Sequence, residues 1–180
     1  LSGVVESWEG VRFTLTGPAS GAFELELPVP GLHNARNAAS AAAMAITAGA
    51  APEAAASALA RFGGVARRFE HRGQVAGIVL VDDYAHLPTE VGAVLATARS
   101  GGFNRVVAVF QPHRFSRTEA LWSSFGCSFD DADVLYVTDV YPSGEAPRPG
   151  VSGRLVADAV LRDRPGADVR YVARREDLLD

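Results

Sequence analysis

The chain contains no lysine: all 17 of its basic residues are arginines. A phosphate-binding P-loop needs its Gly-Lys-Ser/Thr, so these residues hold none. A Schiff-base chemistry that needs a lysine amine is excluded as well. The one cysteine, Cys127, cannot form an internal disulfide, which points to the cytosol. It lies in an amphipathic helical stretch and is expected in the core. No apolar run reaches membrane-spanning length, and Leu1-Ser2-Gly3-Val4-Val5-Glu6 lacks the charged start and apolar centre of a signal peptide. A net charge of −4 argues against binding a nucleic-acid backbone. No internal repeat or low-complexity linker is visible. What remains is a chain of 180 residues, 48% hydrophobic, which is enough for one domain or for a small domain plus a piece of another.

Residues 1 to 30 read as β structure. Val4–Trp8, Val11–Thr16 and Phe23–Leu27 cluster or alternate β formers, with turns at Glu9-Gly10 and Gly17-Pro18. A three-stranded piece this short is marginal alone and needs something to rest on. Gly31-Leu32-His33-Asn34 leads into an alanine-rich helix over about 34–48. Small apolar residues cover most of its circumference, which predicts a buried helix. Pro52 starts a second helix through Ala60, and Gly63-Gly64 marks a boundary. Arginines then crowd together at 61, 67, 68 and 72. Such a run is usually a solvated face, but Arg68-Phe69 could aim a guanidinium at a phosphate or sugar, with the phenylalanine anchored in the core.

From residue 78 strands and helices alternate. Ile78–Val81 is short, β-branched and uninterrupted, so it is expected as a buried strand. Strands at 105–110, 134–137 and 169–172 follow, with helices at about 88–99, 117–128 and 151–162, and the start of another after Arg174. This alternation predicts an α/β fold, a mostly parallel sheet with helices on both faces.

Three strand ends carry polar clusters, and open α/β sheets bind ligands at that edge. The first is Asp82-Asp83-Tyr84-Ala85-His86 ahead of Pro88; its aspartates could also simply close a turn. The second is Gln111-Pro112-His113-Arg114-Phe115-Ser116-Arg117-Thr118-Glu119. Ser116 and Glu119 fit a capping box that makes Arg117 the first helical residue. A cation there opposes the helix dipole unless an anion binds between them, so Arg114, Arg117 and free N–H groups would grip a carboxylate or phosphate. The third is Asp139-Val140-Tyr141-Pro142-Ser143-Gly144-Glu145. In addition, Asn34 and Asn37 share a helix face. They could read a flat ligand edge, or one could cap the helix while the other is solvated.

The segments GLHNARNAASAAAMA, GVARRFE, VDDYAHLPTEV, VFQPHRFSRT and DVYPSGEAP, in this order and spacing, resemble the Mur ligase family over nearly the whole chain. The resemblance implies that residues 1–64 are the end of a central ATPase domain whose P-loop lies upstream. Residues 65–180 would be the C-terminal Rossmann-like, amino-acid-binding domain, truncated at its end. It implies a bacterial cytoplasmic enzyme of peptidoglycan precursor synthesis. That enzyme would use ATP and Mg2+ to join L-alanine to UDP-N-acetylmuramate through an acyl phosphate, with its metal ligands outside these residues. Neither nucleic acid nor membrane would be a partner, and the isolated segment would be inactive. Asn34, Asn37, Arg68 and Asp83 match ATP-binding positions. Tyr84 and His86 match the loop facing the incoming amine and the phosphates, with His86 as the catalytic candidate. His113, Arg114 and Arg117 match the amino-acid pocket. The family's usual second histidine is Leu87 here, which leaves His86 alone in its loop. The rival readings are a ligase that joins a whole peptide to the same sugar and a non-catalytic nucleotide- or amino-acid-binding module.

Overall fold

A computed structural model describes residues 1–17 and 21–179, so the expected Gly17-Pro18 turn lies outside the described residues. The chain divides into two compact units, Leu1–Tyr84 with Ser100–Gly102, and Ala85–Arg99 with Phe103–Asp180. Each is described by itself.

In the first unit, β1 (Ser2–Ser7), β2 (Gly10–Gly17) and β3 (Gly21–Leu27) form an antiparallel meander. Alternation turns Val11, Phe13, Leu25 and Leu27 to one face, each no more than 3% exposed. Val11 pairs with Leu27 and Phe13 with Leu25. Helices α1 (Leu32–Thr47) and α2 (Pro52–Ala60) supply the other side of this core through Ala35, Ala38, Ala39, Ala42 and Ala55. The alanines let the helices lie close to the sheet. Helix α1 is nevertheless buried along one stripe only, and Met44 is 73% exposed. The expectation of an all-round buried helix is therefore corrected: alanine is too small for its exposure to cost much, so its presence on a face does not show that the face is covered.

β4 (Glu70–Val75) and β5 (Ile78–Asp82) form an antiparallel hairpin. The turn residues Ala76 and Gly77 both have positive φ, 50° and 81°, the handedness that matches strand twist. Residues 78–81 do form a strand, but not a buried one: Ile78 is 61% exposed and Leu80 49%. A short apolar run has no periodicity from which to tell a central parallel strand from a hairpin arm.

In the second unit, β6 (Val107–Phe110), β7 (Val134–Val137) and β8 (Asp168–Tyr171) form a parallel sheet in that order. Helices α3 (Pro88–Ser100), α4 (Phe115–Leu121) and α5 (Arg154–Asp163) accompany it. Val91, Leu95, Phe110, Phe125, Phe129, Leu135, Val137, Val156 and Val160 make the core. The rings of Phe125 and Phe129 lie 5.2 and 5.3 Å from that of Phe110. Among the described residues the core gathers on the face that presents Phe110, Leu135 and Val137. On the opposite face of β6, Val107 and Val109 are 50% and 62% exposed. The α/β class, the parallel sheet and its accompanying helices are as expected, and on this second face Val134, the partner of Val107, is only 4% exposed.

Helix α4 is shorter than the expected 117–128, because it tightens into a 3-10 turn at Trp122–Phe125. The change of pitch turns Phe125, Ser128 and Phe129 inward and leaves Cys127 exposed, correcting its expected core position. No helix among the described residues is long and apolar enough to cross a membrane.

Where β7 ends and α5 begins, the backbones nearly touch. A Cβ at Gly153 would lie 1.9 Å from the Thr138 carbonyl oxygen. Gly153→Ala is therefore expected to destabilise the protein by at least about 1–3 kcal/mol, as overpacking does, read as a lower urea midpoint. An unchanged midpoint would show that this junction yields.

Candidate functional site

The candidate residues fall in both units, and each group is described within its own. In the first unit, residues 65–70 are bound to the end of β5. Arg67 and Phe69 adopt left-handed backbone, with φ of 58° and 47°. Such a conformation costs a non-glycine residue about 1–2 kcal/mol and must be held by its surroundings. The Phe69 N–H donates to Asp83 Oδ2 at 2.7 Å, and the Tyr84 N–H donates to the Arg67 carbonyl at 2.8 Å. The Arg67 N–H donates to Glu70 Oε2 at 2.8 Å. That bond, with a second from Arg72, holds the Glu70 carboxyl below its usual pKa.

These ties aim successive side chains in opposite directions. Phe69 is 6% exposed, with its ring 5.8 Å from that of Trp8 and nearly edge-on. Arg68 is exposed and lines a cavity of about 480 Å³ together with Trp8, Pro30, Gly64 and His71. The Arg67 guanidinium lies over the Tyr84 ring, 4.8 Å from its centre, with Nε 3.6 Å from Asp82 Oδ2. The two consecutive aspartates are thus divided between a side chain and the backbone.

Helix α1 starts at Gly31, whose φ of 103° makes glycine the natural N-cap, so Asn34 is not the cap. Asn34 is half-buried, and its Nδ2 donates back to the Pro30 carbonyl at 2.7 Å. Asn37, one turn on, is exposed. Sequence reasoning passed over His33, although it directly precedes Asn34 in the motif. Burial lowers its pKa, Asp83 and Glu6 pull the other way, and Arg68 adds to the lowering. His33, Arg68 and Asp83 therefore share one electrostatic neighbourhood. His71, which has no motif around it, packs edge-on against Trp8, ring centres 5.7 Å apart.

In the second unit, three successive loops set His86, His113 and Tyr141 in a row. The His86 and His113 rings are 6.3 Å apart, and His113 stacks on Tyr141 at 5.4 Å. The last two loops are joined through the main chain. The Arg114 N–H donates to the Tyr141 carbonyl at 2.8 Å, and the Tyr141 N–H to the Pro112 carbonyl at 2.8 Å. In the first loop, Glu90 Oε2 accepts the N–H groups of His86 at 3.0 Å and Leu87 at 3.2 Å. It also lies 3.5 Å from His86 Nδ1.

The start of α4 differs from expectation. Arg114 is its N-cap, with φ of 73°, and the helix begins at Phe115. The expected Ser116 cap and the Ser116–Glu119 capping box are corrected. Ser116 donates its N–H at 2.8 Å and its hydroxyl at 2.5 Å to Glu145, and Glu119 pairs with Arg148 instead. Glu145 comes from a loop 29 residues away, a tertiary partner that local spacing cannot show. The two bonds from Ser116, with Arg148 and Arg114 nearby, hold its carboxyl below the usual pKa. A carboxylate of the protein thus already sits at the first turn of α4. Arg114 is exposed and Arg117 half-buried, with Nη1 3.4 Å from the His113 carbonyl oxygen. In the following loop, Asp139 Oδ1 accepts the N–H groups of Val140 and Gly153, each at 2.9 Å. Among the described residues no group of three or more His, Cys, Asp or Glu side chains could hold a metal ion.

Residues 67–180 match the sequence family described as Mur ligase, glutamate ligase domain. The chain is 48% identical over 157 residues to a UDP-N-acetylmuramate–L-alanine ligase of Nitratidesulfovibrio vulgaris, covering 87% of this chain and 34% of that protein. It is 52% identical over 153 residues to the protein of the same name from Kineococcus radiotolerans, covering 84% and 32%. Among solved structures, the UDP-N-acetylmuramate–alanine ligase of Thermotoga maritima superposes with a TM-score of 0.80 at 29% identity, over 99% of this chain and 38% of that one. The chain thus spans about a third of the length of the curated relatives it matches.

Two outcomes follow for the first unit. Asp83→Ala leaves the Phe69 N–H without its acceptor and should cost about 1–3 kcal/mol in urea unfolding, whereas Asp83→Asn, which keeps an acceptor oxygen, should cost less. Equal costs would mean that charge, not the acceptor, matters. For His33, the lowered pKa means that the unfolded chain takes up the proton first as pH falls. Its contribution to stability is therefore complete above about 6.5, the unfolded value, and is lost as pH falls from there toward the folded pKa. His33→Asn should flatten that part of the stability–pH curve, and an unchanged slope would assign it to other groups.

Proposed function

This chain belongs to the Mur ligase family, and we propose that it is the part of a UDP-N-acetylmuramate–L-alanine ligase that holds the nucleotide's adenosine end and the incoming amino acid. Residues 1–64 are read as the end of the ATPase domain and 65–180 as the amino-acid-binding domain. The observation that carries the reading is the His86–His113–Tyr141 row beside Arg114 and Arg117, at the carboxyl edge of a parallel sheet. On this reading ATP, with Mg2+, phosphorylates the sugar's lactyl carboxylate. The alanine amine then attacks the resulting acyl phosphate, forming the amide bond, and phosphate leaves.

The residues present fit such a nucleotide. Arg68 lines a cavity beside aromatic Trp8, a place for ribose or phosphate oxygens, and Asn34 is bonded to Pro30 of that lining, with Asn37 one turn on along α1. Asp83 shapes this region through Phe69 and would accept from a ribose hydroxyl. Tyr84 and His86 serve the amine and phosphate side, and His86 is the group that would take the amine's proton. Rate enhancement would come mainly from holding the reactants in line and from fixed positive charge.

The amino acid's carboxylate is assigned to Arg114 and Arg117, with His113 beside them. Because Glu145 already accepts from the first turn of α4, helix N–H groups contribute little and the guanidinium forks do the holding. In the full-length ligase, Arg117→Ala should remove a charge-assisted bond worth about 1.5–3 kcal/mol. At the upper end of about 3 kcal/mol, the KM for L-alanine rises more than a hundredfold while that for ATP moves far less. Arg117→Lys should restore activity only in part, since an ammonium lacks the planar fork. Arg114→Gly, which relaxes the left-handed backbone while removing the guanidinium, should act in the same direction. Equal weakening of ATP and alanine would overturn the assignment.

A further inference from the structure

We infer that Glu145 is a positioning residue of the amino-acid pocket, acting through Ser116 on Arg117; the inference rests on the reading of that pocket given above. Glu145 stands at the end of a tight turn. The Glu145 N–H donates to the Pro142 carbonyl at 3.0 Å, and Ser143 and Gly144 between them have φ of 50° and 84°. Two successive left-handed residues closed by that bond make a rigid turn with a single exit direction. Its carboxylate reaches the neighbouring loop with both oxygens used. Oε2 takes the Ser116 N–H, and Oε1 takes the Ser116 hydroxyl.

The segment 141–145 thus holds the loop 112–117 at two points. Tyr141 exchanges main-chain bonds with Pro112 and Arg114, and stacks on His113. Glu145 fixes the residue that follows Phe115 and precedes Arg117. The first tie sets where the loop crosses the sheet edge, and the second sets the direction in which α4 leaves it. Arg117 lies in that first turn, and its guanidinium, at 3.4 Å, only grazes the His113 carbonyl. Its placement therefore depends on the helix axis more than on a bond of its own. The carboxylate has a second effect. It occupies the first turn of α4 with a negative charge and repels a substrate carboxylate from the helix end, toward the arginines.

The test is steady-state kinetics of the full-length ligase with ATP and L-alanine varied separately. Glu145→Ala should raise the KM for L-alanine about tenfold or more, with the KM for ATP changed by less than about twofold. Glu145→Gln should recover most of the loss, because its amide oxygen still accepts the Ser116 N–H and its amide nitrogen can donate to Ser116 Oγ. Ser116→Ala should give a smaller rise of the same kind, and the double variant Glu145→Ala/Ser116→Ala should be no worse than Glu145→Ala alone, since both act through one contact. If the alanine variant does not fold, Glu145→Asp, one methylene too short to reach both partners, should show the same selective rise. A normal alanine KM in Glu145→Ala or Glu145→Asp, with a raised one in Arg117→Ala, overturns the inference and leaves the pocket reading standing. Equal changes in both KM values overturn it too, since they are what a general structural role produces. An unchanged alanine KM in Arg117→Ala as well removes the pocket reading itself.

Discussion

Backbone N–H groups at the ends of strands and helices need acceptors, and in this protein carboxylates supply several of them. Asp83 takes the Phe69 N–H, and Glu90 takes those of His86 and Leu87. Asp133 accepts from Val106 at 2.7 Å, Asp139 from Val140 and Gly153, and Glu145 from Ser116. Each acceptor comes from a different stretch of chain or bends back on its own loop, so each also fixes the shape of a loop. An ionised acceptor makes a shorter and stronger bond than a neutral one. Leaving such an N–H unpaired inside the fold would cost as much as several ordinary contacts contribute. The loops that bear the candidate residues are therefore held by the acidic half of the chain's charge.

That arrangement shapes how anions can be held. A helix N-terminus would otherwise be a ready anion site, but the first turns of α3 and α4 already carry Glu90 and Glu145. At those two helix starts, what is left to meet a phosphate or carboxylate is arginine. With no lysine in the chain, every cationic contact is a planar fork suited to two oxygens at once. On the proposed reading, recognition would depend on how well the Arg68 and Arg117 guanidiniums are aimed by the backbone around them. Phe69, buried beside Trp8, adjoins the one, and Ser116, bonded to Glu145, immediately precedes the other.

Local pattern was enough where structure depends on neighbours in sequence. The starts of α2 and α3 at Pro52 and Pro88 follow from proline at a first helical position, and the strands of the meander follow from alternation between punctuating glycines. Pattern failed where partners are remote. Ile78–Val81 has the composition of a central strand but pairs in a hairpin whose faces are largely open. The capping box at Ser116 and Glu119 is locally valid, yet Glu145 wins Ser116 and Arg148 wins Glu119, because charged partners across loops offer more than a neutral local cap. Cys127 fails for a different reason: a change from α to 3-10 pitch shifts every later side chain around the axis.

The sequence by itself determined the α/β class, the order of the elements other than β4 and the residue types available at each strand end, because these depend on periodicity, turn chemistry and composition, while the family followed from the resemblance of whole segments. It could not determine which of those residues meet. That His86, His113 and Tyr141 form a row, that Asp83 serves the backbone of Phe69, and that Glu145 takes the start of α4 were decided by tertiary structure. The physical reason is that a hydrogen bond goes to the best acceptor in space, and proximity in space is set by how strands register and loops cross, not by spacing along the chain.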